Sequence, residues 1–170
     1  QANIPASRLF SNCRFQAELP PIVAAPSFNI RKHTRVVITL ADYVRQGVMT
    51  EKQYNIILAA IHGKKNIIAA GGTGSGKTTL LNAILAEISK LEERIVTIED
   101  TKELKCTAEN YIALSTTDTV DMDNLLRKTL RLSPNRIVVG EVRGKEALTL
   151  IDAWSTGHRG GCSTVHSDSA

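Results

Sequence analysis

No stretch of the 170-residue sequence approaches the roughly 20 consecutive apolar residues that cross a bilayer. The N-terminus also lacks the basic-then-apolar order and the cleavage site of a secretory signal. A spanning helix is therefore not expected, and the chain reads as cytosolic. Cysteine is scarce: Cys13, Cys106 and Cys162 are an odd number, widely separated, with no Cys-x-x-Cys pair. This disfavours both a disulfide framework and a cysteine zinc site, leaving reduced, structural thiols. Acidic residues are nearly missing from the first forty positions, where Glu18 alone stands against five Lys or Arg, while the remainder balances sixteen against sixteen. Any surface that meets a polyanion is expected near the N-terminus. Internal repeats and low-complexity tracts are absent. There is no initiator Met, and the chain stops at Ser169-Ala170 just after an expected strand, so a piece of a longer protein is expected.

What is present suffices for one sizeable core and part of a neighbouring domain. Phe15, Ala17 and Leu19 alternate with Arg14, Gln16 and Glu18, the pattern of a half-buried strand that Pro20-Pro21 stops. Ser27 to Arg31 alternates in the same way. From about Leu40 the pattern becomes helical: Gly47 ends a short helix, and Thr50-x-x-Gln53 forms a capping box for a second one, Glu51 to His62. A domain boundary is expected here, between residues 1–38 and 39–170. Beyond it, strands are expected at Asn66–Ala70, Arg94–Ile98, Tyr111–Ser115, Arg136–Glu141 and Ser163–His166. Helices are expected at Lys77–Leu91, Met122–Leu132 and from Lys145. Alternating strands and helices predict a layered α/β fold.

Gly71-Gly-Thr-Gly-Ser-Gly-Lys-Thr78 matches a phosphate-binding loop and stands between an apolar strand and a helix, the context its mechanism needs. Glycines let the backbone curl until its N–H groups point at phosphate oxygens, and the helix N-terminus adds its positive dipole end. Lys77 is expected on the β- and γ-phosphates of a nucleotide and Thr78 on Mg²⁺. A bare glycine-rich turn is the alternative, and motif plus context argue against it.

Such a loop needs a carboxylate at a neighbouring strand end, to hold Mg²⁺ through water or to polarise the attacking water. Two strand ends qualify: Glu99-Asp100, and Glu141 after the apolar run Ile137 to Val139, which suits a strand covered on both faces. Either alone would read as a solvated acid. Beside a phosphate loop, Glu141 reads as functional.

Other clusters read more plainly. His158, Cys162 and His166 recur at four-residue spacing, but Gly157, Gly160 and Gly161 argue against the helix that would turn them into a metal-binding face. Arg127, Lys128, Arg131 and Arg136 suggest a nucleic-acid patch, yet Met122, Leu125, Leu126 and Thr129 repeat at helical spacing, which makes the basic residues a solvated face. Arg131 is a lesser candidate for an intersubunit contact. His33 and His62 carry no signal.

The phosphate loop, the segment Ile98-Glu-Asp-Thr-Lys-Glu103, the strand Val139-Gly-Glu-Val-Arg143 and the Gly157-His-Arg-Gly…Ser-Thr-Val-His166 segment occur in an order that resembles the traffic ATPases of type II and type IV secretion systems. Leu19-Pro-Pro and Ala25-Pro-Ser-Phe-Asn-Ile-Arg-Lys-His33 look most like the conjugal-transfer branch, the TrbB-like proteins. The resemblance covers nearly all of residues 12–170. It implies a RecA-like P-loop core at 39–170, truncated at its C-terminus, after the remnant of an α+β domain and linker at 1–38. It implies ATP and Mg²⁺ as ligands, with Gly71, Gly72, Thr73, Gly74, Ser75, Gly76, Lys77, Thr78 and Thr79 around the nucleotide. Thr78 and, through water, Glu141 would serve the metal. Glu141 would be the Walker B acid, with Gly140 leaving room beside the nucleotide. Glu99 and Glu103 would form an acidic box handling water and Mg²⁺, and His158 and His166 a histidine box linking the site to a subunit interface. Arg14 and Arg31 would approach the γ-phosphate. Implied partners are five further copies in a hexameric ring at the cytoplasmic face of the inner membrane, secretion-apparatus subunits and a peripheral membrane contact, without direct nucleic-acid binding. A DNA-translocating motor and a non-catalytic nucleotide switch remain alternatives.

Overall fold

A computed structural model describes residues 13–32 and 36–167; His33 and the terminal Ser169-Ala170 lie outside these. The chain divides into two units between Val36 and Val37. The first holds β1 (Cys13–Glu18) and β2 (Ser27–Lys32), an antiparallel pair in which Arg14 and Arg31 are Cα partners. Phe15 and Phe28 stack with ring centroids 6.1 Å apart. Alternation in the sequence predicts one covered face, but every residue of β2 is exposed. Among the described residues this unit holds two strands alone, with no second layer of its own to bury a face against.

In the second unit, α1 (Leu40–Arg45) and α2 (Glu51–His62) each begin with a complete capping box, Thr39 with Asp42 and Thr50 with Gln53. The parallel sheet has the order β3 (Ile67–Gly71), β7 (Cys162–His166), β6 (Arg136–Val142), β4 (Ile95–Glu99) and β5 (Tyr111–Ser115). Helix α3 (Lys77–Ile88) packs with α1 and α2 on one face, α4 (Met122–Thr129) and α5 (Glu146–Ser155) on the other. Period-two alternation divides the strands between two cores. Ile95, Val138 and Cys162 join Leu81, Ile84 and Leu85 of α3, while Val96, Ile98, Ile137 and Val139 join Leu125, Leu126 and Trp154. Ile137 to Val139 are fully buried, as a doubly covered strand requires. No helix among the described residues is long and apolar enough to cross a membrane.

Helix α4 buries its predicted stripe of Met122, Leu125, Leu126 and Thr129 and ends in a single 3₁₀ turn at Leu130–Leu132. Arg127, Lys128 and Arg131 are exposed, as expected. Arg136 is not: only 1% of it is accessible. Its guanidinium binds Glu93 and donates to the carbonyls of Gly160 and Ile61, both at 2.9 Å. It therefore ties the amino ends of β6 and β7 to the end of α2. The sequence grouped it with the surface cations because its partners are 24 to 75 residues away.

Candidate functional site

At the end of β3 the backbone turns through Gly71, where a Cβ would stand 2.9 Å from Ser75 Oγ. That hydroxyl donates to the Gly72 carbonyl at 2.9 Å, closing the loop on itself. Gly76 then adopts a left-handed φ of 88° as the N-cap of α3 and provides no side-chain cap for the helix's first N–H groups. Lys77 folds back so that Nζ lies 2.7 Å from the carbonyl oxygens of both Gly71 and Gly72. An uncapped helix N-terminus and an ammonium thus share one exposed loop mouth, an arrangement suited to a polyanionic phosphate chain. Thr78 and Thr79 follow, half-buried, in the first turn of α3.

Two carboxylates stand at carboxyl ends of the same sheet. Between Val139 and Val142 strand β6 advances three residues while β7 advances two, a bulge that contains Gly140 and Glu141. Bulges re-aim side chains. Glu141 accepts two hydrogen bonds on Oε2, from Arg143 Nε at 2.8 Å and Nη2 at 2.5 Å. Its Oε1 lies 3.8 Å from His166 Nε2, and that nitrogen is 3.3 Å from Thr73 Oγ1. A row of neighbouring side chains, Thr73, His166, Glu141 and Arg143, therefore runs from the phosphate loop to β6.

Glu99, at the end of β4, is nearly buried, and its Oε1 accepts the backbone N–H groups of Glu103 at 2.8 Å and Leu104 at 2.7 Å. Burial pushes its carboxyl above the ordinary range, with the two N–H donors opposing and the Glu103 charge adding to the rise. A Cβ on Gly140 would sit 3.3 Å from Glu99 Cγ, so the space beside Gly140 admits this glutamate. Asp100 is exposed and accepts from Thr116 Oγ1 at 2.9 Å. Asn82, on the buried side of α3, holds the same acidic loop from below: Nδ2 donates to the Glu103 carbonyl at 3.0 Å and Oδ1 accepts from Lys105 N at 2.8 Å. Its signal was available as a lone amide inside the apolar run Leu81 to Leu85.

A family model described as "Type II/IV secretion system protein" matches residues 4–170. The chain belongs to this family. Among type II/IV secretion system relatives, a probable conjugal transfer protein TrbB of Sinorhizobium fredii (strain NBRC 101917 / NGR234) is 57% identical over 159 residues, which are 92% of this chain and 49% of that protein. Conjugal transfer protein TrbB of Rhizobium radiobacter is 55% identical with the same coverage. The chain thus spans about half the length of these curated relatives. Among solved structures, the VirB11 ATPase of the Brucella suis type IV secretion system, in complex with sulphate, is 32% identical with a TM-score of 0.65, covering 93% of this chain and 56% of that one. The pilus retraction motor PilT with bound ADP, at 24% identity, has a TM-score of 0.74 over 91% of this chain and 44% of its own, a likeness of fold. The parallel sheet flanked by helices is the RecA-like core expected from the sequence.

Within this secretion-family core the two histidines of the sequence reading part company. His166 reaches the phosphate loop, whereas His158 precedes β7 and its Nδ1 lies 2.8 Å from the Pro134 carbonyl, at the amino ends of the strands. Five strand residues, about 16 Å of extended chain, separate the two ends, so His158 stands at the far end of β7 from the loop at Gly71–Thr78. Arg14 and Arg31 belong to the separate β1–β2 unit. The segment carrying Cys162 is a strand, and burial pushes the Cys162 thiol up to about 12. Among the described residues no group of three or more His, Cys, Asp or Glu gathers to hold a metal. An Mg²⁺ bound mainly by phosphates, a hydroxyl and water needs no such cage.

Proposed function

We propose that the protein hydrolyses ATP with Mg²⁺ to energise a conjugative type IV secretion system. The observation that carries this reading is the row of side chains from the curled phosphate loop through Thr73 and His166 to Glu141. MgATP supplies the scissile phosphoanhydride and a charge-neutralising cation. The loop N–H groups and Lys77 would bind the phosphates, with Lys77 exchanging its two carbonyl partners for phosphate oxygens. Thr78, and Glu141 through water, would hold the metal, while Glu141 orients and deprotonates the attacking water. Glu99 and Glu103 would shape the water-handling side. Catalysis of this kind rests on positioning and electrostatic stabilisation. In the same reading, residues 1–38 end a preceding domain whose Arg14 and Arg31 meet the γ-phosphate. The ring is a hexamer at the cytoplasmic face of the inner membrane, in contact with apparatus subunits. His158 serves the subunit interface rather than the nucleotide.

Phosphate release by the full-length protein, with and without lipid vesicles or single-stranded DNA, tests this. Lys77→Ala should lose ATP binding and turnover together. Glu141→Gln should keep binding and lose roughly a hundredfold or more in rate, because an amide neither accepts the proton nor carries charge. Normal turnover by either variant refutes the assignment, and strict DNA dependence would favour a translocating motor.

A further inference from the structure

Resting on that reading of Glu141, we propose that Arg143 is its positioning residue. The guanidinium fixes one carboxylate oxygen and thereby presents the other toward His166 and the phosphate loop. Both arginine contacts, 2.8 and 2.5 Å, converge on Oε2, leaving Oε1 on the His166 side. A glutamate on a strand retains rotation about its terminal bonds, and a planar guanidinium fork removes that freedom as a single ammonium does not. The arginine is itself held. Glu146, at the start of α5, accepts the backbone N–H groups of Arg143 at 2.6 Å and Gly144 at 2.8 Å through one oxygen. Burial alone would raise the Glu146 carboxyl, but these N–H donors and its own outweigh it and hold the group below the ordinary range, as the anion. The device thus runs from α5 through a clamped turn to the β6 bulge and its acid.

Stability alone gives this pair little purpose. The Arg143 side chain is 62% exposed and that of Glu141 24% exposed, and such surface ion pairs contribute little to folding. Placement is what the geometry supplies, and an error of about one ångström at a reacting group costs roughly a hundredfold in rate.

The test is a double-mutant cycle in the full-length protein with Arg143→Ala, Arg143→Lys, Glu141→Gln and Arg143→Ala/Glu141→Gln. Titration with a fluorescent ATP analogue should give an unchanged Kd for Arg143→Ala, while kcat falls about ten- to a hundredfold. Arg143→Lys should recover part of that loss. The double variant should be no slower than Glu141→Gln alone, because the arginine acts only through the acid. In nucleotide-free protein, the Arg143 Nε–H resonance should be protected from exchange and lose protection in Glu141→Ala. Unchanged kcat in Arg143→Ala, losses that multiply in the double variant, or an Arg143 resonance indifferent to Glu141 would each overturn the proposal. Slow turnover by Glu141→Gln beside normal turnover by Arg143→Ala refutes only the role of Arg143. Normal turnover by Glu141→Gln refutes both readings.

Discussion

Replacing Glu99 separates the geometry of a buried acid from its charge. Glu99→Ala removes the acceptor for two backbone N–H groups, those of Glu103 and Leu104. Each orphaned donor costs about 1–3 kcal/mol, and because Glu103 and Leu104 are only half-buried, a total of about 2–4 kcal/mol is expected. Glu99→Gln keeps a carbonyl oxygen where Oε1 stands and removes the charge that burial and Glu103 disfavour. At neutral pH it should be at least as stable as the parent. The pH dependence has a definite sign. A carboxyl whose folded value lies above its ordinary 4.5 folds preferentially with its proton. The parent is therefore handicapped at neutral pH, and the handicap shrinks as pH falls through the raised folded value and is gone below 4.5. Urea denaturation followed by circular dichroism, at neutral and mildly acid pH, measures all three proteins. If Glu99→Gln is as unstable as Glu99→Ala at neutral pH, or if its advantage over the parent widens on acidification, then the charge rather than the acceptor geometry holds the loop.

Three further outcomes are expected. Arg136→Ala should cost about 3–5 kcal/mol in urea unfolding, since it takes the side-chain donor from the Gly160 carbonyl and leaves the Ile61 carbonyl and Glu93 with Lys64 alone, whereas Arg127→Ala should stay within about 0.5 kcal/mol. Burial would raise Glu93, but hydrogen bonds from Lys64 and Arg136 hold it below 4.5; its contribution should be complete above that value and disappear as pH falls through the lower folded one, a loss absent from Glu93→Gln in acid titrations of stability. Asn82→Ala should destabilise by about 1–3 kcal/mol and raise hydrogen exchange selectively at Lys105 N, leaving β7 amides protected.

Local periodicity made much of this molecule readable. Three consecutive β-branched residues announced β6 as a covered strand, the stripe from Met122 to Thr129 fixed the buried side of α4, and Thr50 with Gln53 placed the start of α2. The loop between β3 and α3 was legible because its motif is local too: eight consecutive residues carry it. What stayed hidden is non-local. Nothing near Arg136 announces that Ile61 and Gly160 will surround it, and nothing in the spacing of His158 and His166 says that the strand expected at Ser163–His166 sets them at its opposite ends. The bulge at Gly140 and Glu141 is equally silent, since an extra residue shows only when β7 is aligned beside β6.

The sheet order also bears on how the molecule is made. Among the described residues, strand β3, which ends in the phosphate loop, is hydrogen-bonded in the sheet only to β7, the last of the described strands. Ninety-one residues must be synthesised after Gly71 before Cys162 exists to begin that pairing, on the order of ten seconds at typical translation rates. Throughout that interval β3 lacks its pairing partner, and the apolar side of α3, with Leu81, Ile84 and Leu85, awaits Cys162 and its neighbours. A nascent chain interrupted between Thr78 and β7 would carry the whole glycine-rich motif without the strand that pairs with β3. The strand that brings His166 to Thr73 is thus also the one that pairs with β3, so the surroundings of the glycine-rich loop are set by residues made long after the loop itself.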